Sequence, residues 1–286
     1  MKFLLIFIFS AMYLFSSSGF TEATQLRKMI IKNNLVLIDT TDAKTFQEGH
    51  IPSAVRADIS SFRHQVGPYQ KMNSSKEIQK VARSLGINND SIVVLYGHNK
   101  PKELLKASYM ALALIANGCK NVSILNGGYE RWLFEYEDFI SKVGRKIKEG
   151  NFTAHYNPNI LVDLDYVRSN IGKIPMIEAR PLRYFNAKAQ SKGVKRLGHI
   201  AKAQSSAWGN KFEHDQTLKS DQELNQIYIK TDHLNPNKEV ITYCTGGLEA
   251  SMNWYILSQH LHFKDVKLYD ASMREWGNRD DTPMEK

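Results

Sequence analysis

The 286-residue chain is poor in cysteine and in the motifs that bind metals or phosphates. It contains only two cysteines, Cys119 and Cys244, which are too few for a disulfide framework. We do not expect a bridge between them, because they fall in different halves of the chain. Neither cysteine is clustered with histidine at ligand spacing, and no glycine-rich phosphate motif is present. We therefore expect no metal and no cofactor.

Long apolar runs are also scarce, since only residues 3–15 form one. Lys2 precedes this run of about 13 residues, and the small residues 16–19 follow it. A positive, an apolar and a small-residue region in this order are typical of a secretory signal peptide, and the run is shorter than the roughly 20 residues of a spanning helix. We predict a signal peptide at residues 1–20 and an exported protein, periplasmic or secreted, without stable membrane insertion after cleavage. An uncleaved anchor is the alternative.

Acidic residues are absent between Glu178 and Glu213, in a chain whose formal net charge is +9 and whose pI is about 9.3. Such a charge attracts nucleic acid, anionic membranes or small anions, and export argues against nucleic acid as a partner. The basic residues of the stretch are Arg180, Arg183, Lys188, Lys192, Lys195, Arg196, Lys202 and Lys211. They could steer small anions into a cleft or form an ordinary solvated loop.

The order of apolar runs in the first half recurs in the second at an offset of roughly 140 to 150 residues. The corresponding segments are 35–39, 92–97, 102–115 and 122–128 in the first half and 176–180, 240–244, 250–260 and 266–270 in the second. Short apolar strands that alternate with helical patterns indicate parallel β/α units.

We predict an α/β fold of two domains, each a small open parallel sheet with helices on both faces. The expected bounds are 24–138 for the N-terminal domain, 139–159 for an exposed linker and 160–280 for the C-terminal domain. A single large doubly wound domain is the alternative, which the repeat disfavours.

Cys244 lies at the predicted end of a strand and directly before a helix, where parallel sheets bind ligands. The paired glycines Gly246 and Gly247 let several backbone amides converge on one point, and a nearby helix N-terminus favours a thiolate. The loop is therefore predicted to hold an anion. The equivalent position in the first half is Gly97, which has no nucleophile. The alternative is a buried, inert cysteine.

In these features the chain resembles the tandem-rhodanese family of thiosulfate and 3-mercaptopyruvate sulfurtransferases. Residues 46–54 are close to the N-terminal rhodanese signature, residues 268–277 are close to the C-terminal one, and Gly247 is the family's glycine three residues after the cysteine. The resemblance implies a first domain without a catalytic cysteine and a second, catalytic domain. It also implies that Cys244 takes sulfur from a small anionic donor as a persulfide and passes it to a thiol or cyanide.

The resemblance implies a set of substrate-binding residues as well. The loop supplies Thr245, Gly246, Gly247, Leu248 and Glu249. Of two arginines that hold the donor in the family, the first corresponds here to Tyr184, with Arg183 one residue earlier, and the second corresponds to Lys192. We predict donor binding by Arg183 and Lys192.

Residues after the cysteine bear on which donor is used. Thr245 and Gly246 are small and neutral, which resembles the 3-mercaptopyruvate branch more than the thiosulfate branch, although Gly246 lacks that branch's hydroxyl. A Glu249 carboxylate facing the sulfur would raise the thiol pKa, whereas one turned outward would be an ordinary acid in a first helical turn. We favour the outward orientation.

Other functions remain as alternatives to the sulfurtransferase. A phosphatase with a similar loop needs an arginine at the position of Ala250, so we disfavour that chemistry. A sulfur carrier or binding module, loaded by a partner protein without turning over small donors, is the second hypothesis. A redox-sensing thiol has little support without a resolving cysteine nearby. His50 and Cys119 are interpreted as structural.

Overall fold

The computed structural model describes residues 19–98 and 100–286. Most of the predicted signal peptide lies outside these residues, so export stays a prediction. Phe20 and Thr21 form a short edge strand of the first sheet, so a boundary at residue 20 would fall inside that strand. In the described ranges, no helix has both the length and the apolar character needed to span a membrane.

The strands of the first half form a parallel sheet and a hairpin. In chain order they are β1 (Phe20–Thr21), β2 (Leu35–Asp39), β3 (Val55–Arg56), β4 (Arg63–Val66), β5 (Tyr69–Met72), β6 (Ile92–Tyr96) and β7 (Asn121–Leu125). The sheet has the order β1-β7-β6-β2-β3, and β4 and β5 pair antiparallel as the hairpin.

The second half repeats this topology. Its strands are β8 (Leu161–Val162), β9 (Met176–Glu178), β10 (His199–Ile200), β11 (Gln204–Ser205), β12 (Glu239–Tyr243), β13 (Asp265–Tyr269) and β14 (Met284–Glu285). The sheet order β8-β13-β12-β9-β11 matches the first sheet strand for strand. Strand β12 is central, with Thr242 opposite Leu268 on one side and Ile177 on the other. The residue that follows β12 therefore lies at the centre of the edge formed by the carboxyl ends of the strands.

Helices connect the strands in both halves. The first half has α1 (Ala23–Met29), α2 (Ala43–Glu48), α3 (Ser75–Ser84), α4 (Pro101–Ala116) and α5 (Gly128–Glu135). The second half has α6 (Leu164–Ser169), α7 (Leu182–Phe185), α8 (Asp221–Asn225), α9 (Leu248–Tyr255) and α10 (Ser272–Trp276). Short 3-10 helices span Ile59–Ser61 and Trp208–Lys211, and π-helical turns span Gln226–Thr231 and Ile256–His260.

Alternate residues of the central strands face different hydrophobic clusters. In β6, Val93 points into one cluster and Val94 into another. In β12, Val240 joins the same cluster as Val93, whereas Ile241 joins a third. Each sheet is thus buried on both faces, as the continuous apolar runs predict. The predicted α/β fold of two similar domains is confirmed.

One hydrophobic cluster spans both domains, so the two halves share a core. Helices α4 and α9 pack against each other across the interface. The Ser108 and Ser251 hydroxyls lie 2.7 Å apart there and are fully buried. The ring centroids of Phe20 and Tyr255 lie 5.6 Å apart in an edge-to-face contact. Each domain keeps one buried cluster of its own, and a third, larger cluster is shared between them, whereas two domains usually have separate cores.

The two domains also repeat a histidine contact. His50 Nδ1 donates to the Phe46 carbonyl at 2.8 Å, and its ring stacks on that of Phe46. His199 makes the same pair of contacts with Phe185, at 3.0 Å. The interpretation of His50 as a structural residue is confirmed.

The predicted linker is extended and largely exposed, but it is attached to the first domain. Phe152 is 2% exposed and belongs to the shared core. Its backbone N–H donates to Ile87 at 3.1 Å, and Gly150 N–H donates to Arg83 at 2.9 Å. A basic, glycine-containing segment is typical of a free linker. This one is attached to the first domain because the side chain of Phe152 is buried in the shared core.

Replacing the linker's buried aromatic residue tests this attachment. Phe152→Ala should destabilise the protein by about 3 kcal/mol, because it leaves a cavity in the shared core. Val143→Ala, in the same linker but 80% exposed, should change stability by less than about 0.5 kcal/mol. The measurement is the urea unfolding midpoint of each variant, and equal midpoints for the two would contradict the described packing.

Candidate active site

Cys244 follows β12 and begins the loop that leads into α9. Gly247 closes this loop with a φ of +91°, in the left-handed region that favours glycine. A Cβ at this position would also collide with Asp270. The Gly247 N–H donates to Cys244 Sγ at 3.1 Å, and the amides of Gly246 and Ala250 also face the sulfur. The amide-lined loop that the paired glycines predict is therefore present.

The thiol of Cys244 is fully buried, and burial is the main cause that raises its pKa well above the ordinary value. The charge of Glu249 and a hydrogen bond to its side chain raise this pKa further, whereas the amides of Ala250 and Gly246 lower it. The net direction is upward, so the cysteine is a thiol at neutral pH in this conformation. The helix N-terminus alone would lower the pKa of Cys244 and favour a thiolate, but the loss of solvation on burial raises this pKa by more. A donor must also displace covering groups to reach the sulfur.

The Glu249 side chain is directed toward the sulfur, and the favoured outward orientation was wrong. Helix α9 begins at Leu248, so Glu249 lies in the first turn, where Cys244 and the loop fold back over the helix. From there its carboxylate is near enough to the sulfur for its charge to raise the pKa of Cys244. Since Glu249 is only half-buried, it can also meet a donor that approaches from solvent.

A residue of the first domain holds the cysteine loop at the Gly246 carbonyl. Arg63, at the start of the β4–β5 hairpin, donates through Nη2 to the Gly246 carbonyl at 2.6 Å. The same nitrogen lies 3.5 Å from Asp270 Oδ1. Asp270 Oδ2 in turn accepts from the Met72 N–H and the Tyr109 hydroxyl, both at 2.8 Å. The domain without a nucleophile thus completes the support of the cysteine loop.

The first residues of the loop are held by α10. Cys244 N–H donates to Ser272 Oγ at 3.0 Å, and Ser272 Oγ donates to the Tyr269 carbonyl at 2.6 Å. The amides of Met273 and Arg274 donate to the carbonyls of Cys244 and Thr245, at 3.0 and 2.9 Å. Residues 268–277, singled out from sequence as a family signature, therefore form one wall of the site.

The two predicted donor-binding residues occupy different places. Arg183 is exposed on α7, and its guanidinium donates to the neighbouring Tyr184 hydroxyl at 3.2 Å. Lys192 is exposed on the rim of a cavity of about 520 Å³, which it lines together with Pro68, Gln190, Ser191, Gly193, Val194, Lys195 and Asn278. Donor binding by Arg183 and Lys192 stays a prediction.

Part of the basic stretch is structural. Arg180 pairs with Glu178 and donates to the Gly198 carbonyl. Arg196 donates to the carbonyls of Trp276 and Thr282. Lys211 is fully buried, donates to Ser206 and Ala207, and has a pKa lowered to about 8, chiefly by burial. The cations that remain exposed to solvent are Arg183, Lys188, Lys192, Lys195 and Lys202.

Cys119 takes no part in this site. It is buried in the shared core, and burial raises the pKa of its thiol to about 11. Both Cys119 and Cys244 are free. The interpretation of Cys119 as a packing residue is confirmed.

Removing the charge of Glu249 tests its position. Glu249→Gln should lower the pKa of Cys244, because a negative charge beside the thiol disfavours the thiolate. The rate of alkylation by iodoacetamide should then rise several-fold at pH 8, and its pH profile should move to lower pH. Glu48→Gln, an exposed acid on α2, is the control. An unchanged profile for Glu249→Gln would place its carboxylate away from the sulfur.

Comparison with known proteins matches both halves of the chain to one family. The model of the rhodanese-like domain matches residues 22–135 and 163–279. The 3-mercaptopyruvate sulfurtransferase of Escherichia coli (strain K12) is 32% identical over 286 aligned residues, which cover 94% of this chain and 99% of that protein. The sulfur carrier protein TtuD of Thermus thermophilus is 29% identical over 278 residues, with 93% and 92% covered.

Solved structures agree with these relatives. The crystal structure of SseA from Escherichia coli, a 3-mercaptopyruvate sulfotransferase with the rhodanese fold, superposes with a TM-score of 0.77 at 26% identity. The match covers 89% of this chain and 98% of that one. The resemblance to the tandem rhodaneses is confirmed, and so is assignment to the sulfurtransferase class of enzymes. The chain therefore belongs to the rhodanese-like family and carries two copies of its domain.

Proposed function

We propose that the protein transfers sulfane sulfur from a small anionic donor to a thiol or to cyanide through a persulfide on Cys244. The observation that carries this proposal is the loop in which the amides of Gly246, Gly247 and Ala250 face one sulfur atom. Such amides stabilise negative charge on the thiolate and on the outer sulfur of a persulfide.

The proposed reaction has two displacements on sulfur. The Cys244 thiol first passes its proton to water, and the thiolate attacks the sulfur of the donor. With 3-mercaptopyruvate the carbon–sulfur bond breaks, and the carbon takes up a proton to leave pyruvate. With thiosulfate the sulfur–sulfur bond breaks, and sulfite leaves with the electron pair. A thiol or cyanide then attacks the outer sulfur, and the cysteine thiolate is restored.

The loop favours 3-mercaptopyruvate over thiosulfate as the donor. Thr245 and Gly246 add no positive charge beside the sulfur, whereas Glu249 adds a negative one. A dianion is repelled more strongly than a monoanion by that carboxylate. We include Lys192, on the cavity rim, and Arg183, on α7, among the donor-binding residues. If the donor KM is unchanged after both residues are substituted, neither of them binds the donor.

Sulfur loading on the intact protein tests the proposed activity. Incubation with 3-mercaptopyruvate should add one sulfur atom to the wild-type mass and none to Cys244→Ser, because only the cysteine can form the persulfide. Cys119→Ser is the matched control and should load like the wild type. Loading of Cys244→Ser, or no loading of the wild type by either donor, would contradict the proposal.

A sulfur carrier loaded by a partner protein is the second candidate. Two observations favour it, namely the complete burial of Cys244 and the name of the Thermus thermophilus relative, a sulfur carrier protein. A carrier would accept sulfur from a protein persulfide but turn over small donors slowly. Steady-state turnover with 3-mercaptopyruvate and a thiol acceptor distinguishes the two, since the enzyme releases many equivalents of pyruvate per cysteine.

A further inference from the structure

Arg274 lies between the cysteine loop and the basic segment that lines the cavity. Its backbone N–H is bonded to the Thr245 carbonyl, and its side chain passes over Gly246. The Cδ, Nε and Nη1 atoms of Arg274 lie 3.4 to 3.8 Å from the point where a Cβ on Gly246 would stand. Its Nε lies 3.7 Å from the corresponding point on Gly193. The guanidinium thus borders both the loop of Cys244 and the segment that carries Lys192.

The guanidinium of Arg274 has no partner within the described ranges of the chain, where neither an ion pair nor a hydrogen bond engages it. The neighbouring arginines differ: Arg63, Arg180 and Arg196 each donate to protein carbonyls or carboxylates. Arg274 is half-buried, and no acceptor among the described residues takes up its donors. A guanidinium presents its N–H groups in a fixed fork that matches the two oxygens of an anionic group.

The negative charge near the sulfur also means that an anionic donor needs a cation close to the cysteine loop. Glu249 brings a carboxylate to Cys244, which opposes the approach of any anion. Arg183 donates to Tyr184 and not to the loop. Arg63 already donates to the Gly246 carbonyl and pairs with Asp270. In the part of the chain that the structure describes, Arg274 is the guanidinium that borders the loop at Gly246 and has no protein partner, so it can bind a ligand.

We infer that Arg274 binds the anionic group of the sulfur donor and gives the site its selectivity for anions. The ligand class is a small carboxylate or an oxoanion of sulfur whose two oxygens face the guanidinium while its reactive sulfur points to Cys244. Lys192, the residue before Gly193, adds a second positive charge near the guanidinium. The inference rests on the proposed sulfur transfer for the identity of the ligand. It names a binding residue that lies within the second family signature.

Charge-selective alkylation tests the inference without any sulfur donor. Iodoacetate and iodoacetamide both alkylate Cys244, but only the first is an anion. Arg274→Gln should lower the ratio of the iodoacetate rate to the iodoacetamide rate roughly fivefold, because it removes the attracting charge. Arg274→Lys should keep most of the ratio. Arg279→Gln, an exposed arginine paired with Asp281, is the matched control and should leave it unchanged.

Donor kinetics complete the test. Arg274→Gln should raise the KM for 3-mercaptopyruvate roughly tenfold with little change in kcat, since a charge-assisted hydrogen bond to the bound donor is lost. An unchanged alkylation ratio and an unchanged KM would overturn the inference while the proposed function stands. A wild type that loads no sulfur, combined with a lowered alkylation ratio in Arg274→Gln, would refute the proposed function and support the anion site.

Discussion

The ion pair between Arg63 and Asp270 joins the two domains directly beneath the cysteine loop. Asp270 belongs to the second domain, and its four neighbours Arg63, Met72, Tyr109 and Gly247 include three from the first domain. Removing one partner of such a buried pair leaves an uncompensated charge, which is strongly unfavourable. The position of the loop therefore depends on the relative orientation of the two domains, and the shared hydrophobic core fixes that orientation.

The repeat is symmetric in topology and asymmetric in packing. Both sheets have the same strand order, and both domains stack a histidine on a phenylalanine. At Gly97, the counterpart of Cys244, a Cβ would approach Glu103 to within 2.7 to 3.0 Å. A cysteine would not fit there without displacing α4. At this position the first domain has no space for a cysteine side chain, and that domain instead supplies the hairpin that supports the second domain's loop.

The features that the sequence predicts well are local. The apolar runs at 35–39 and 240–244 correspond to β2 and β12, and the paired glycines predict the amide-lined loop. These signals are readable because hydrophobic period and glycine conformation depend on neighbouring residues. Edge strand β1, with two residues, is too short to show a period.

The features that the sequence does not predict are long-range. Arg63 lies 183 residues from Gly246, and nothing in the pattern of a short polar hairpin indicates that contact. Glu249 could be placed in a first helical turn, but its direction depends on how the loop folds back. Arg274 carried a usable signal, since a cation within the signature at 268–277 lies next to the residues that hold the loop.

Arg63 of the first domain holds the cysteine loop in place through its hydrogen bond to the Gly246 carbonyl, and sulfur transfer should depend on this contact. The most direct test is the rate of sulfur loading of Arg63→Met, measured at a temperature at which circular dichroism shows a folded protein. Arg56→Met, a partly exposed arginine of the same domain that contacts Asp58, is the control. The account predicts a loss of at least roughly tenfold for Arg63→Met, because misplaced catalytic groups react slowly, and no loss for the control. Equal loading rates for the two variants would contradict it.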